Sequence, residues 1–194
     1  VNTTQVNYVD PLDRKQILEA DQELRHQMNI ITDFLRKYVP GYEHCTIKTG
    51  ASTLGIRESR RFSGKYVMNI SDLREARRFP DVVVHKAQFV VDIHNPVGGG
   101  QANGIAEYVD AYDIPWRSLV PQKMENLILA GRCISGTHEA MASYRVMAIA
   151  MAIGEAAGIG AALAIDHDVT PENLDVKYIQ KALMDKGAVL FDEK

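Results

Sequence analysis

The stretch of residues 126–164 constrains the fold of this chain more than any other part of the sequence. It reads NLILAGRCISGTHEAMASYRVMAIAMAIGEAAGIGAALA, an apolar run that ends in glycine and leads into a long segment of small residues. The pattern predicts a buried strand over 126–131, a turn over 131–135, and a helix over 138–165 that is buried on several sides. We expect the amino-terminal end of that helix to face a cavity or solvent, where its unpaired N–H groups suit an anionic or electron-rich ligand.

Small side chains keep the predicted helix thin enough for a cofactor or another backbone to approach it closely. They are Ala140, Ala142, Ser143, Ala148, Ala152, Gly154 and Gly158. A tightly packed strand–helix unit without any ligand explains the same residues equally well, because a lone strand–glycine–helix is a weak motif. Arg145 and Glu155 interrupt the apolar run, so it lacks the ~18 uncharged residues that a membrane span requires.

Several positions of this stretch resemble the second FAD-binding motif of the flavoprotein superfamily that includes glutathione reductase and fumarate reductase. They are Asn126, Leu127, Ala130, Gly131, His138, Arg145 and residues 154–158. The chain is still more similar to a bacterial group of FAD-dependent oxidoreductases, through residues 55–61 (GIRESRR), 92–94 (DIH) and 112–119 (YDIPWRSL). The resemblance implies an enzyme that transfers a hydride between a small-molecule substrate and bound FAD.

The resemblance also implies which residues lie beside the cofactor. These are Gly131, Arg132, Ser135, His138 and Val146. In fumarate-reductase-like proteins the residue after the Ala-Gly pair is acidic and reaches hydroxyl groups of the cofactor. Arg132 stands there in this chain, and its positive charge suits a phosphate instead. We interpret Cys133 as a small buried residue rather than a redox group.

Four further residues are candidates for catalysis on the substrate side: Arg57, Arg61, His94 and Arg145. On a strand, Arg57 and Arg61 share one face and can clamp a carboxylate or phosphate, although a solvated edge strand or an ion-pair ladder with Glu58 is an alternative. His94 is either a general acid or base, or a loop histidine with a structural hydrogen bond. Arg145 lies in an apolar segment and needs a partner, either a carboxylate such as Glu139 or Asp113 or a group in the substrate pocket.

The Gly-x-Gly-x-x-Gly fingerprint, which binds the ADP half of FAD after an amino-terminal strand, does not occur in the 194 residues. The glycines at 98–100 follow an Asn-Pro pair and lead into a polar segment rather than a helix. We therefore expect the carboxy-terminal part of a flavoenzyme, which needs an N-terminal dinucleotide-binding half as partner and holds FAD poorly by itself. Alternatives are a non-catalytic accessory or oligomerisation module derived from a flavoenzyme, or an anion-binding domain that uses the RESRR segment.

We predict a mixed α+β fold, in which a substrate-type β-sheet is flanked by helices and joined to the closing strand and helix of an FAD/NAD(P)-binding domain. The predicted parts are residues 1–43 (a long amphipathic helix), 44–120 (substrate-domain strands), 121–166 (the closing strand and helix) and 167–194 (a last helix, over 175–186, stopped by Gly187). Asp10 is expected to cap the first helix, and Pro40 with Gly41 to end it. Its apolar face holds Ile17, Leu24, Met28, Ile31, Leu35 and Tyr38.

Short elements are predicted between the first helix and the closing strand. Residues 56–62 and 65–68 form a hairpin-like pair around Ser63 and Gly64. Further strands are expected at 82–84, 90–91, 108–113 and 116–120, a short helix at 71–78 with Ser71 as its cap, and a loop at 95–100.

Composition excludes several other classes of protein. The formal net charge is −3, without the basic excess of a nucleic-acid-binding protein, and the two cysteines, Cys45 and Cys133, form neither a disulfide framework nor a zinc site of the usual spacing. The first residues lack the charged and apolar regions of a signal peptide, so we favour a soluble, cytoplasmic protein. The expected partners are a small substrate, an anionic one being favoured, and a second copy in a symmetric dimer that covers surface left bare over 126–165; nucleic acid, metal and membrane are not expected.

Overall fold

The computed structural model describes residues 3–93 and 106–192 of the chain, which divides into two units, residues 1–59 and 60–194. The elements are α1 (Arg14–Tyr38), α2 (Ile70–Arg74), β1 (Val82–Ala87), β2 (Tyr112–Pro115), α3 (His138–Tyr144), α4 (Met147–Asp166) and α5 (Val176–Asp185). Two 3₁₀ turns, Trp116–Ser118 and Gly131–Cys133, lie between β2 and α3. Helices combined with a small antiparallel sheet confirm the predicted mixed α+β class.

The first unit is built on α1, a helix of 25 residues that begins after Asp13. The Asp13 carboxylate accepts hydrogen bonds from the backbone N–H groups of Lys15 and Gln16, and the bond from the Gln16 side chain is the main reason that the pKa of Asp13 is lowered. The prediction that Asp10 caps α1 is wrong. Its carbonyl accepts the N–H of Asp13, so Asp10 closes a turn that precedes the helix.

The predicted apolar face of α1 is only half-buried. Five of its members have intermediate exposure: Ile17, Leu24, Met28, Ile31 and Leu35. Tyr38, predicted to belong to the same face, is 60% exposed. The helix ends at Tyr38, with Val39 as its carboxy-terminal cap, and Gly41 has a φ of +92°, so the predicted stop is confirmed.

The core of the second unit is a two-stranded antiparallel sheet covered by helices. β1 pairs with β2 through Val82–Pro115, Val84–Ile114 and Ala87–Tyr112. Both α4 and α5 pack against β1. The buried Gln180 side chain of α5 donates to the backbone carbonyls of Pro80 and Val82 at 2.9 and 3.1 Å, and this joins the helix to the start of the strand.

A close contact between Trp116 and Gly160 sets the position of α4. The indole ring lies so near Gly160 that a Cβ atom at this residue would collide with it. The indole N–H donates to the carbonyl of Pro171 at 3.3 Å, so the ring is also held at its polar end. Glycine is required at position 160 because any side chain would displace the ring or the helix.

The hairpin predicted from 56–62 and 65–68 is wrong. In the described residues no strand occurs there, and the backbone of 62–68 pairs with two distant segments instead. The N–H of Lys65 donates to Val120 at 2.9 Å, and that of Met68 donates to Ser135 at 3.1 Å. Because these backbone N–H groups are already paired with distant segments, they are not available to pair the two halves of the predicted hairpin with each other.

Two predicted elements begin at other residues than expected, and one predicted strand does not form. α2 begins at Ile70 because Asn69, not Ser71, caps it and forms a capping box with Asp72. The strand predicted at 108–113 begins only at Tyr112, and 116–120 is not a strand. There the chain turns through Trp116–Ser118, closed by the N–H of Leu119 on the carbonyl of Trp116 at 2.8 Å.

Residues 126–130 are not the buried strand that the sequence predicts. Asn126 is exposed and residues 127–130 are half-buried. Among the described residues, one backbone hydrogen bond joins 127–130 to another segment: the N–H of Leu129 donates to the carbonyl of Leu119 at 2.9 Å. A strand needs a continuous ladder of such bonds, and one bond does not make one.

The single long helix predicted over 138–165 is two helices. α3 ends at Tyr144 and α4 begins at Met147, because Val146 has extended backbone (φ −69°, ψ 153°) and serves as the cap of α4. Burial on several sides is also wrong for α4, which buries one face: Ile149, Ile153, Ala156, Gly160 and Ala164. By length and composition alone α4 is apolar enough to cross a membrane, with a mean hydropathy of 1.9 over the described helix, a test that core helices of soluble proteins also pass.

The last helix agrees closely with its prediction. α5 spans Val176–Asp185, its cap is Asp175, and Gly187 follows with a φ of +93°. The three valines at 82–84 belong to β1 as expected, whereas Val91 forms only an isolated bridge with Glu107. The predicted loop at 95–100 lies outside the described residues.

Candidate functional site

The turn between Gly131 and α3 is open on its outer side. Gly131 has a φ of +75°, and no atom lies within 4 Å of the position that a Cβ would occupy. Thr137 caps α3 by accepting the N–H of Ala140 at 3.4 Å, and the first two helical residues, His138 and Glu139, are exposed. The predicted glycine turn and the open start of the helix are therefore confirmed.

The inner side of the same turn is held rigidly by the core. Ile134 and Ser135 are fully buried. The N–H of Ser135 donates to Ser118 at 3.0 Å, and the Tyr144 hydroxyl donates to the carbonyl of Ile134 at 3.0 Å. Gly136 leaves room for the Tyr144 ring, since a Cβ there would lie 2.6 Å from its hydroxyl oxygen. Burial raises the pKa of Tyr144, so this hydroxyl stays a donor.

Arg61 lies beside this turn. Its Nε donates to the carbonyl of Gly136 at 3.0 Å. The pKa of Glu139 is lowered chiefly by its own backbone N–H and by Thr137, and the positive charge of Arg61 contributes to the same shift. The structure thus brings Arg61 to Gly136, which lies between Ser135 and His138, two of the predicted cofactor residues.

The strand face predicted for Arg57 and Arg61 does not form. Residues 56–61 have no strand structure, so the alternation that would align the two arginines is absent there. Arg57 also belongs to the first unit and Arg61 to the second. Sequence alternation assumed a regular strand, and the backbone bonds of this region go elsewhere.

Arg145 has a partner that the sequence did not predict. Its Nη2 lies 2.8 Å from Oδ2 of Asp92, and both side chains are 17% exposed. Asp113, one predicted partner, accepts instead from Arg78 at 3.1 Å and faces Nδ1 of His85 at 2.8 Å. Arg145 follows the seven residues of α3, so it lies ~10 Å along the axis from the open turn.

Val146 is placed with Arg145 rather than with the turn. It is the half-buried cap residue of α4, at the far end of α3 from Gly131. His94 lies outside the described residues. The predicted site therefore separates into a turn group, consisting of Gly131, Arg132, Ser135, His138 and Arg61, and a second pair at the junction of α3 and α4.

Two buried polar groups in the second unit were missed by the sequence. Tyr112 and Ser143 share a hydrogen bond of 2.8 Å, and Ser143 donates to the carbonyl of Phe89 at 2.6 Å. Burial raises the pKa of Tyr112 to about 12. His85 and Asp113 form the other group. Neither had a sequence signal, since the partners are far apart in the chain and Ser143 was noted only for its small size.

The family model described as FAD dependent oxidoreductase matches residues 1–183. The chain belongs to this family. No curated protein and no solved structure matches it. Flavin oxidoreductase function, with FAD as the cofactor of the family, is thereby confirmed at the level of the family.

The turn fits contact with FAD from one side. Gly131 adds no side chain on the open side, and Arg132 is exposed there with a charge suited to phosphate. Ser135 fits less well. Its Oγ is buried and has no hydrogen-bond partner among the described residues, so in this conformation it cannot reach a ligand outside the turn. Cys133 donates to the carbonyl of Ala130 at 3.3 Å, as a small half-buried residue does.

Proposed function

We propose that this chain forms the closing part of a flavin-dependent oxidoreductase, which transfers a hydride between a small-molecule substrate and FAD. Two observations support the proposal: the family match, and the turn at 131–138, whose inner side is hydrogen-bonded to the core and whose outer side is open. When bound, FAD supplies the donor or acceptor of the hydride. The chain's own residues orient one side of the cofactor and place positive charge beside it.

Three residues of the turn group, Gly131, Arg132 and Arg61, have a proposed task. Gly131 lets the cofactor approach the backbone, and Arg132 neutralises a phosphate. His138 stands at the exposed start of α3. Arg61, held by its bond to Gly136, keeps a guanidinium beside the turn, where it favours an anionic substrate or phosphate. Arg57, His94 and Arg145 stay candidates for the substrate side.

The dinucleotide-binding motif is proposed to come from a segment outside these 194 residues, because the fingerprint for the ADP half does not occur among them. The isolated chain should then contact the flavin end of FAD weakly and the ADP end not at all. A second candidate function is a non-catalytic oligomerisation module, which the exposed apolar side chains of α4 favour.

Competition between halves of the cofactor tests this proposal. We expect the purified chain to be colourless and to quench FAD fluorescence weakly when it is titrated into FAD. Added FMN should displace the bound FAD, whereas added ADP should not. Arg132→Ala should weaken the titration at least threefold, whereas Lys177→Ala, which removes an exposed charge on α5, should not change it.

Three results contradict the proposal in different ways. A yellow preparation with one FAD per chain means that the chain binds the whole cofactor. If ADP displaces FAD as strongly as FMN does, the chain contacts the ADP half of the cofactor and not only the flavin half. Equal effects of the two substitutions remove the role assigned to the turn.

A further inference from the structure

His85 and Asp113 form a buried pair that the flavin turn does not explain. Their side chains are 3% and 2% exposed, and Nδ1 of His85 lies 2.8 Å from Oδ1 of Asp113. The same carboxylate accepts from Arg78 at 3.1 Å and from the backbone N–H groups of Phe79 and Lys86 at 3.4 and 3.3 Å. A carboxylate surrounded by donors is held as an acceptor, so the ring nitrogen that faces it carries the proton.

The other ring nitrogen of His85 faces a second carboxylate. A neutral imidazole has one proton, so Nε2 is an acceptor whenever Nδ1 donates to Asp113. Nε2 is buried, has no hydrogen-bond partner among the described residues, and lies 3.5 Å from Oδ1 of Asp192. In the neutral ring two acceptors therefore face each other. A second proton, on Nε2, turns this contact into an attraction.

Asp192 belongs to a short segment that follows α5, residues 188–192, which we call the post-α5 segment. Leu190 is 3% exposed and anchors the segment in the core, whereas Phe191 is 49% exposed. Beyond that anchor the Asp192 carboxylate pairs with Lys86 as well as with the ring. The lysine and aspartate side chains are 53% and 57% exposed, so their ion pair alone holds the segment weakly.

An irregularity in β1 brings two neighbouring side chains to the same carboxylate. Successive residues of a strand point to opposite faces, so His85 and Lys86 would normally diverge. Here Lys86 has a φ of +53°, and the register with β2 shifts between Val84 and Ala87. A left-handed residue that is not glycine is uncommon, and a bulge of this kind re-aims a side chain. Both cationic groups can thereby reach Asp192.

We propose that His85 is a proton-controlled latch for the post-α5 segment. When the ring is protonated, Nε2 donates to Asp192 and holds the segment against β1. When the ring is neutral, this bond is lost and Asp192 keeps only its exposed pair with Lys86. Imidazoles titrate near pH ~6.5, so the latch closes in mildly acidic solution. None of its residues belongs to the flavin turn, and the latch does not depend on the proposed function.

The charged groups around His85 set the direction of the response. Asp113 and Asp192 lie at the two ring nitrogens and favour the protonated ring, while Arg78 and Lys86 lie on the far sides of these carboxylates and oppose it. The pKa of Asp192 is lowered from its ordinary 3.8, chiefly by Lys86, and His85 contributes. Asp192 is therefore still ionised when an imidazole gains its proton, and the latch reopens only in stronger acid.

Nitrogen NMR of the histidine rings tests the geometry in the 194-residue chain. We expect the His85 ring to carry both protons at the acidic end of a titration from pH 5 to 9, and to keep the Nδ1 proton when it becomes neutral. His85→Asn removes these signals and so assigns them among the six histidines. A neutral ring that carries its proton on Nε2 overturns the proposal, because it would donate to Asp192 at any pH.

Backbone ¹H–¹⁵N NOE values at Phe191 and Asp192 then test the latch itself. In the natural chain they should fall by about a third or more between pH 5.5 and 7.5, as the segment gains fast motion. Asp192→Asn should give low values at both pH values. Asp185→Asn removes another exposed carboxylate, paired with Lys181 on α5, and should preserve the pH difference.

His85→Asn separates the ring from its surroundings. Asparagine keeps a donor toward Asp113 and has no atom in the position of Nε2, so the pH difference at Phe191 should disappear. Circular dichroism melts show whether each variant is folded, and Asp192→Asn, at a 57% exposed side chain, tests the latch even if His85→Asn does not fold. NOE values that do not change with pH in the natural chain, or an undiminished pH difference in Asp192→Asn, overturn the proposal.

Discussion

Helices α3 and α4 follow each other in the chain and are both rich in small residues, yet the structure uses them oppositely. Five consecutive residues of α3, Ala140–Tyr144, are buried. In α4 one face is buried and the other is exposed along its full length. Small residues in α3 therefore allow close packing within the chain, whereas Gly154 and Gly158, on the exposed face of α4, have no other atom of the described residues near their Cβ positions.

The largest expected effect separates the two faces of α4. Gly160→Val should destabilise the protein by about 3 kcal/mol, because the new side chain must displace the Trp116 ring. Chemical denaturation measures the change. Gly158→Val, on the exposed face of α4, should cost well under half as much, because nothing lies within 4 Å of its Cβ position. Equal losses would mean that both faces are packed alike and would end the comparison.

The junction between the two helices gives the next effect. Arg145→Ala should lower the free energy of unfolding by about 2 kcal/mol, because it leaves the largely buried Asp92 carboxylate without its 2.8 Å partner. Arg132→Ala, an exposed arginine on the turn, should cost less than about 0.5 kcal/mol. Equal shifts of the denaturation curves for the two variants would mean that the Arg145–Asp92 ion pair contributes no more to stability than an exposed arginine does.

Alkaline pH reports on the burial of α3 through the Tyr112–Ser143 hydrogen bond. The folded pKa of Tyr112 is raised to about 12 from 10.0. Its contribution is therefore fully present below pH 10 and is lost as the pH rises through 12, on the order of 2 kcal/mol in all. Tyr112→Phe should be less stable than the natural chain at pH 8 and should lose less stability between pH 9 and 11.5. A constant difference across that range would show that Tyr112 does not titrate as a buried group.

The two glycines of α4 should respond oppositely to the same change. Gly158→Ala should raise the free energy of unfolding by about 1 kcal/mol, because alanine favours a helix over glycine and nothing lies within 4 Å of the new Cβ. Gly160→Ala should lower it, because its Cβ would collide with the Trp116 ring. Chemical denaturation compares the two variants. A loss of stability in Gly158→Ala would mean that this position is packed as tightly as the buried face.

A small stability effect is expected at Arg61 and Arg57. Arg61→Ala should cost less than about 1 kcal/mol, since it removes one hydrogen bond to the Gly136 carbonyl, and Arg57→Ala should cost no more. Turnover of the flavin-loaded enzyme, followed as flavin bleaching, should fall much further than the melting temperature does if the proposed function holds. Parallel losses of both would favour the structural ion-pair alternative for these residues.

Local signals in the sequence predicted some elements accurately and others poorly. α5, the end of α1 and the turn at Gly131 were found, because capping side chains, proline and glycine act within a few residues. The hairpin at 56–68 and the strand at 126–131 were wrong, because their backbone partners are chosen by segments far along the chain. The same reason explains Arg145, whose partner Asp92 is 53 residues away.

What the sequence by itself determined is the family, the α+β class, and the glycine turn that precedes a helix, since these depend on residue types and short spacings. The tertiary structure alone decided which side of the turn is open, where the helix breaks at Val146, and which face of α4 stays exposed. A helix that is apolar all round does not reveal in its sequence which stripe its own chain will cover. Packing against β1 and Trp116 makes that choice, because Gly160 admits the indole ring, whereas a Cβ at Gly154 or Gly158 would meet no atom of the described residues within 4 Å.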